Sequence, residues 1–496
     1  MMLTRRTYLQ SMLGGLAAMR AGAAPAQPPN VVVIVSDDQG YGDISCYEHP
    51  KEVRTPQMDR IAKRGVRFEQ GYANAYVCAP SRAAILTGTY PQRYGFYTAS
   101  DSRVGLPLNQ VTLADVLKKE GYATCALGKW HLGIEPAYHP MKRGFDEFYG
   151  FLGHGAHDYY DLKRTGVFWN SILRNYEPID ETGYLTDNLG REAVSFIGRN
   201  AQKPFFLYLA FNAVHFPMQA PQEIIRKYDT GDPKRDILMA MLECENNAIG
   251  KVLDELERRN LDHNTILVFV SDNGGARNNA SSNGPLRDYK QSVYEGGIRI
   301  PFLISWPGHL RENAVSREPV MFMDIMPTIA AAVGAPLPQG RGLEGRNMLP
   351  VLTGKASGPL HDALFWDGGQ EKTAIRSGDW KLVNNPGKIE LFNLRQDAGE
   401  KTGLAAQKPE IVAQLRQKFD AWSKLNAPRI GAGGANDEDE GGARRARKQG
   451  KKGKQQRPAA QKRSHSCVRE HRPSCWPCCP ARCCGHNPPR RTSAGP

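Results

Sequence analysis

Val31-Val32-Val33-Ile34-Val35-Ser36 runs straight into Asp37-Asp38. An unbroken apolar run of this length reads as a strand buried on both faces, the kind found in a parallel sheet covered by helices. Ile266-Leu267-Val268-Phe269-Val270-Ser271 repeats the shape and ends in Asp272-Asn273-Gly274. Ala123-Thr124-Cys125-Ala126-Leu127 and Phe205-Phe206-Leu207-Tyr208-Leu209-Ala210-Phe211 are similar runs between them. Helical stretches alternate with these strands, from Thr55 to Arg64, Thr112 to Glu120 and Asp232 to Arg259. The alternation predicts an α/β fold, a large, mostly parallel central sheet flanked by helices, over residues 28–350. Beyond about 350, four short strand-like segments near 363–366, 373–376, 380–383 and 390–394 are separated by turns such as Asn385-Pro386-Gly387. They predict a smaller antiparallel sheet, closed by a helix from Pro409 to Lys424, in a subdomain spanning 351–426.

Open parallel sheets build sites at the carboxyl ends of their strands. If the strands at 31–36 and 266–271 are neighbours, Asp37, Asp38, Asp272 and the Asn273 amide meet there. Three clustered carboxylates repel without a cation. This hard oxygen set suits Ca²⁺, with Mg²⁺ or Mn²⁺ next. The alternative is that these residues are turn formers and helix caps.

Cys78-Ala79-Pro80-Ser81-Arg82 leads to Leu86-Thr87-Gly88. Pro80 suits a first helical position and Gly88 a helix end, which puts Cys78 immediately before a helix start. Backbone N–H groups and the helix dipole favour negative charge there, and Arg82 adds a cation that forks onto oxyanions. The segment is either an anion-handling nucleophile or a buried cysteine at a cap. In Gly128-Lys129-Trp130-His131, an extended loop would point Lys129 and His131 the same way. His215 follows the strand at 205–211, and Lys290 precedes Glu295-Gly296-Gly297-Ile298-Arg299. Each could reach the sheet edge that carries the acidic pairs; each could also be an ordinary satisfied or solvated side chain.

Cys78 to Gly88 fills every fixed position of C-x-P-S-R-x-x-x-L-T-G and so resembles the sulfatase signature. The two acidic pairs, G-K-W-H-x-G, H-x-P and the lysine ahead of E-G-G-x-R resemble further motifs of that family, in order, over about residues 30–425. The resemblance implies a type I sulfatase of the alkaline phosphatase superfamily, hydrolysing a sulfate ester to alcohol and inorganic sulfate. It implies that Cys78 is oxidised to formylglycine by a formylglycine-generating or sulfatase-maturating enzyme, and that the hydrated aldehyde attacks sulfur. It further implies one Ca²⁺ on Asp37, Asp38, Asp272 and Asn273, and sulfate oxygens neutralised by Lys129 and Lys290. His215 with Lys290 would serve the leaving alkoxide, and His131 the hydrate. The expected substrate is a sulfated carbohydrate or aryl sulfate, since the stretch from Pro91 to Gly150 most resembles family members acting on sulfated sugars. A polar loop with His154, His157, Asp158 and Tyr159 is either a contact for sugar hydroxyls or solvated. Two other classes stay open: a phosphonate monoester hydrolase or phosphodiesterase of the same superfamily, and a non-catalytic binder of sulfated glycans.

The 496 residues carry a formal charge of +14. Residues 431–496 hold fifteen Lys and Arg against five Asp and Glu, which leaves only about +4 on the rest and argues against nucleic acid as a partner. The segment 427–496 reads as a disordered, basic, Cys-rich tail. Six of the ten cysteines fall between Cys467 and Cys484, and the body's four are too sparse for a disulfide scaffold. Cys244 fits the apolar face of a helix as a core thiol. Residues 1–26 resemble a twin-arginine export signal, with Arg5-Arg6, a weakly apolar stretch and Ala24-Pro25-Ala26, so export to the periplasm or outside the cell is expected. No segment of the mature protein is apolar and long enough to span a bilayer as a helix.

Overall fold

The computed structural model describes residues 27–47, 52–153, 156–164, 168–338, 342–369 and 371–431. The expected export signal, His154 and residues 432–496 lie outside the described residues.

The run at 31–36 is β1 (Asn30–Ser36), and every residue of it is buried. It lies between β8 (Phe205–Ala210) and β9 (Thr265–Ser271), parallel to both, with Ser36 level with Ser271. β4 (Ala123–Lys129) and β5 (Glu147–Phe151) continue the parallel set beyond β8. The remaining strands are β2 (Gly65–Phe68), β6 (Ile172–Arg174), β7 (Glu177–Ile179), β10 (Phe302–Ser305) and β11 (Ala314–Ser316). The ten-stranded order is β11-β2-β10-β9-β1-β8-β4-β5-β6-β7. β10 is antiparallel to both β2 and β9, and β5-β6-β7 is an antiparallel edge, so the sheet is mixed around a parallel centre. β3 (Gly71–Tyr72) pairs separately with β12 (Val320–Met321).

Alternate side chains of β1 enter two different cores, as the strand period requires. Val31, Val33 and Val35 pack with Ala83, Ile85 and Leu86 of helix α2 (Cys78–Thr87) and Ile329 of the helix Ile325–Val333. Val32 and Ile34 pack with Met58 of α1 (Pro56–Lys63) and with Met241, Cys244 and Ile249 of the long helix Pro233–Arg258. Helices therefore cover both faces.

The second sheet is an antiparallel meander of β13 (Leu364–Asp367), β14 (Thr373–Ser377), β15 (Trp380–Asn385) and β16 (Lys388–Asn393), followed by the helix Pro409–Ser423. Trp366 and Phe392 share a core with Tyr72, Tyr294 and Ile298, so this sheet packs directly on the turn that follows Lys290.

Two expectations are corrected. The helix at the cysteine begins at Cys78 itself, capped by extended Val77, so Pro80 is its third residue. Proline is tolerated there because the first four helical N–H groups have no intrahelical partner. Residues 427–431, expected to open the disordered tail, are held in place. Ala427 N–H donates to Gln92 O at 2.9 Å, Ile430 N–H to Gly95 O at 2.9 Å, and Arg429 pairs with Asp101 at 2.9 Å.

Candidate active site

β1 and β9 end side by side, and their acidic residues face each other. Asp38 N–H donates to Asp272 Oδ1 at 3.3 Å, and Asn273 Nδ2 donates to Asp38 Oδ1 at 2.8 Å. Asp38 has φ 62°, a left-handed conformation held at a strand end where backbone strain commonly marks a working site. Gly274 is dictated by space, because a Cβ there would sit 1.9 Å from Gly296 O. Asp37, Asp272 and Asn273 are fully buried, and Asp38 nearly so.

Cations surround this acid cluster. Arg82 Nε and Nη2 donate to Asp272 Oδ2 at 3.0 and 2.8 Å, and its Nη1 donates to Lys129 O at 3.0 Å. Lys129, the last residue of β4, reaches Asp37 Oδ2 at 2.5 Å. Lys290 reaches Asp38 Oδ1 at 2.9 Å, and His215 Nε2 lies 3.5 Å from Asp38 Oδ2. Cys78 Sγ completes the group: it, an oxygen from each of Asp37 and Asp38, and a His215 ring nitrogen all lie within 4.8 Å of one another.

Burial and the neighbouring Asp272 push Asp37 up to about 8, against Lys129 and Arg82. Burial acts on Asp38 the same way, but Lys290, His215 and Lys129 hold it well below the carboxylate range. Burial pushes the Cys78 thiol up to about 11 and His215 down to about 3, the latter against the pull of Asp38. Burial lowers Lys290, but Asp38 together with the further negative groups around it, Asp37 and Asp272 among them, outweighs this and raises it. His215 Nδ1 faces Phe216 O at 2.7 Å, which assigns the proton to Nδ1 and leaves Nε2 toward the carboxylates.

Asp37 Oδ1 and Asn273 Oδ1 are buried acceptors without a hydrogen-bond partner. Two orphaned oxygens beside crowded carboxylates fit a hard divalent cation of the Ca²⁺ type, which would satisfy both and relieve the repulsion that raises Asp37.

Nine of the ten residues singled out in the sequence thus converge. His131 differs in one respect. It is buried just past β4, but its φ of 57° breaks the extended geometry that was expected to align it with Lys129. The polar loop is largely used internally: His157 contacts Asp158 O and Asn170 O, while Asp158 accepts from the Tyr160 and Asp161 N–H groups and from Gln219.

Three supporting residues were not picked out in the sequence for these roles. Tyr159 OH donates to Asn212 O at 2.6 Å and His215 O at 2.9 Å, fixing the His215 loop. Ser36 Oγ donates to buried Glu245 at 3.0 Å beneath Asp37. Buried Lys381 of β15 contacts Glu295 at 2.8 Å and Glu400 at 2.9 Å. Only Glu245 leaves a trace, as a charge four residues after Met241 at the border of the apolar stripe.

Residues 29–335 match the family described as Sulfatase. The chain belongs to the sulfatase family. It is accordingly an enzyme of the sulfatase class. Residues 288–424 also match the family described as N-sulphoglucosamine sulphohydrolase, C-terminal, across the second sheet. The sulfatase is 38% identical over 391 residues to human N-acetylgalactosamine-6-sulfatase, covering 73% of this chain and 72% of that one. It is 35% identical over 473 residues to human arylsulfatase A, covering 83% and 91%. Among solved structures, Ps i-CgsB in complex with k-i-k-neocarrahexaose superposes with a TM-score of 0.78 at 34% identity, covering 82% of this chain and 94% of that one. Phosphonate monoester hydrolase of Agrobacterium radiobacter, at 19% identity and a TM-score of 0.59, shares the fold.

Proposed function

We propose that this sulfatase hydrolyses the sulfate ester of a sulfated carbohydrate, releasing the alcohol and then inorganic sulfate. The observation that carries the reading is Cys78 Sγ held within 4.8 Å of Asp37, Asp38 and His215, in a buried cluster that also holds Arg82, Lys129 and Lys290. The carbohydrate part rests on the relatives named for N-acetylgalactosamine-6-sulfate and on the neocarrahexaose complex.

A thiol at about 11 is almost wholly protonated at neutral pH and a poor nucleophile. The fit of Cys78 to Gly88 to the signature of the matching family supports oxidation of Cys78 to formylglycine by a maturating enzyme, and the hydrated aldehyde would supply the oxygen that attacks sulfur. Asp37, Asp38, Asp272 and Asn273 would hold Ca²⁺, whose chemistry when bound would be that of a Lewis acid toward the sulfate. Lys129 and Lys290 would supply fixed positive charge to the sulfate oxygens from buried positions, where such charge counts most. Arg82 holds Asp272 and the Lys129 backbone in place. A bound sulfate favours the imidazolium of His215, which then offers Nε2–H to the departing oxygen with Lys290 beside it. His131 would orient the hydrate and take its second proton. The division into a catalytic body at 28–350 and a subdomain at 351–426, and export by the twin-arginine route, belong to the same proposal.

Matched substrates test it. 4-Nitrophenyl sulfate should be turned over with a kcat/KM at least about 10²-fold above that for bis(4-nitrophenyl) phosphate and for a phenylphosphonate monoester. Preference for either phosphorus ester would replace this reading with the phosphoester one. Cys78→Ala with unchanged sulfate turnover would remove the nucleophile assignment.

A further inference from the structure

The loop after Asn273 carries one conspicuous charge beyond the reaction centre. Arg277 has a side chain 76% exposed, and its guanidinium carbon lies 4.5 Å from the centre of the Tyr289 ring. Tyr289 immediately precedes Lys290. Arg277 is four peptide steps from Asn273, a reach of at most about 14 Å. The pair therefore sits within a short oligosaccharide's length of the group that would receive the sulfate.

An exposed arginine normally samples many rotamers. Here the stacked ring restricts it, so less entropy is lost when its planar donors engage an anion. The ring itself stands on a fixed loop. Lys290 N–H donates to Gly275 O at 3.0 Å, and Asn283 Nδ2 ties Gly275 O at 3.2 Å to Asp288 O at 3.0 Å. Asp288 and Gln291 hold φ values of 69° and 71°, conformations that persist only where the surroundings over-determine them. One rigid loop thus presents Lys290 inward and Tyr289 to Arg277. Among the described residues the acid paired with Arg277 is Asp288, at 3.5 Å, and an exposed pair of this kind binds weakly. The guanidinium charge is available.

We propose that Arg277, stacked on Tyr289, forms an anion subsite at the rim of the centre. It takes a second negative group, a sulfate ester or a carboxylate, on a sugar next to the one that loses its sulfate. This rests on the sulfated-carbohydrate reading above. Arg277 discriminates between substrates and does not touch the reacting atoms.

The test uses the full enzyme and a size-defined dextran sulfate oligosaccharide, with unsulfated dextran of equal length as control. Binding is measured by titration calorimetry and turnover with 4-nitrophenyl sulfate. Arg277→Ala should weaken dextran sulfate binding about five- to tenfold and flatten its salt dependence, with Arg277→Lys and Tyr289→Leu intermediate and Tyr289→Phe near wild type. Turnover of 4-nitrophenyl sulfate should stay within twofold in Arg277→Ala. Dextran sulfate affinity unchanged in Arg277→Ala overturns the proposal, as does an equal loss of aryl sulfate turnover, which would place Arg277 in the reaction itself. A wild-type enzyme that binds dextran sulfate through Arg277 but turns over no aryl sulfate would sink the sulfatase reading of the site and leave the anion subsite standing. A carboxylated dextran measured in parallel separates a sulfate-selective rim from one that takes any anion.

Discussion

Arg82 has no exposed surface, and its guanidinium spends three donors on Asp272 and the Lys129 carbonyl. Asp272→Ala leaves that buried cation only the longer contact to Asp37, at 3.5 Å, a penalty of up to about 3–5 kcal/mol, besides removing an acidic ligand. We expect it to lower thermal stability and to lose Ca²⁺ and sulfatase activity together, read by melting, metal content and turnover. An Asp272→Ala enzyme that keeps both metal and activity would refute the ligand assignment. Lys290→Ala should cost about 10²–10³ in kcat, the usual loss when a group stabilising transition-state charge is removed. The acidic pairs, Cys78 and Lys290 were legible because each follows a strand or fills a motif. Tyr159, Glu245 and Lys381 were not, because each acts through a contact far away in sequence. His131 shows that alternation assumes an extended backbone, which its φ of 57° departs from.

The turn Glu295–Ile298 joins the site to the second sheet. Gly274 N–H donates to Gly297 O at 3.0 Å, tying the turn to the strand end that bears Asn273. Glu295 in turn accepts from Lys381 and, through Oε2, from Tyr72 OH at 2.7 Å, and its N–H meets Glu400 at 2.6 Å. Burial and Glu295 push Glu400 up to about 7 against Lys381, while burial raises Glu295 but Lys381, Arg299 and Arg376 together bring it down to about 2. Lys381→Met removes the cation between the two carboxylates, leaving Glu295 with Arg299 at 3.5 Å and Tyr72, and should destabilise by up to about 3–5 kcal/mol. The signs for pH are opposite for the two acids. Glu400 holds a proton that the unfolded chain releases above about 4.5, so its contribution is full below that pH and is lost as pH rises through about 7. Glu295 contributes above about 4.5, and that is lost as pH falls through about 2. Raising the pH from about 5 to 7.5 should therefore lower the Tm of wild type more than that of Glu400→Gln. Equal slopes would contradict this account of Glu400. The short strands of this sheet were legible from their turns, but its docking on the Lys290 turn was not, because it rests on contacts between residues far apart in the chain, Trp366 and Phe392 against Tyr294 and Ile298, and Lys381 on Glu295.

At the scale of the molecule, the parallel centre was legible because its strands are apolar throughout, and apolar side chains on both faces leave only a layered α/β solution. The antiparallel insertion of β10 between β2 and β9 was not, since a short buried strand carries no mark of its direction. The anchored 427–431 segment was also missed, because its hold comes from Arg429 contacting Asp101 and Thr98, residues far back in the chain. Deleting residues 432–496 should leave Tm and kcat/KM nearly unchanged, whereas truncation after Asn426 should lower Tm by a few degrees. A loss of more than about tenfold in kcat/KM, about 1.4 kcal/mol, on the shorter deletion would give that region a working role. The central claim is that Cys78, as formylglycine, carries the reaction. Peptide mass spectrometry of active enzyme, purified from a host with a maturating enzyme, addresses it most directly. We predict that the Cys78 peptide carries the mass loss of thiol-to-aldehyde conversion, in proportion to specific activity. Fully active protein with unmodified Cys78 would contradict it.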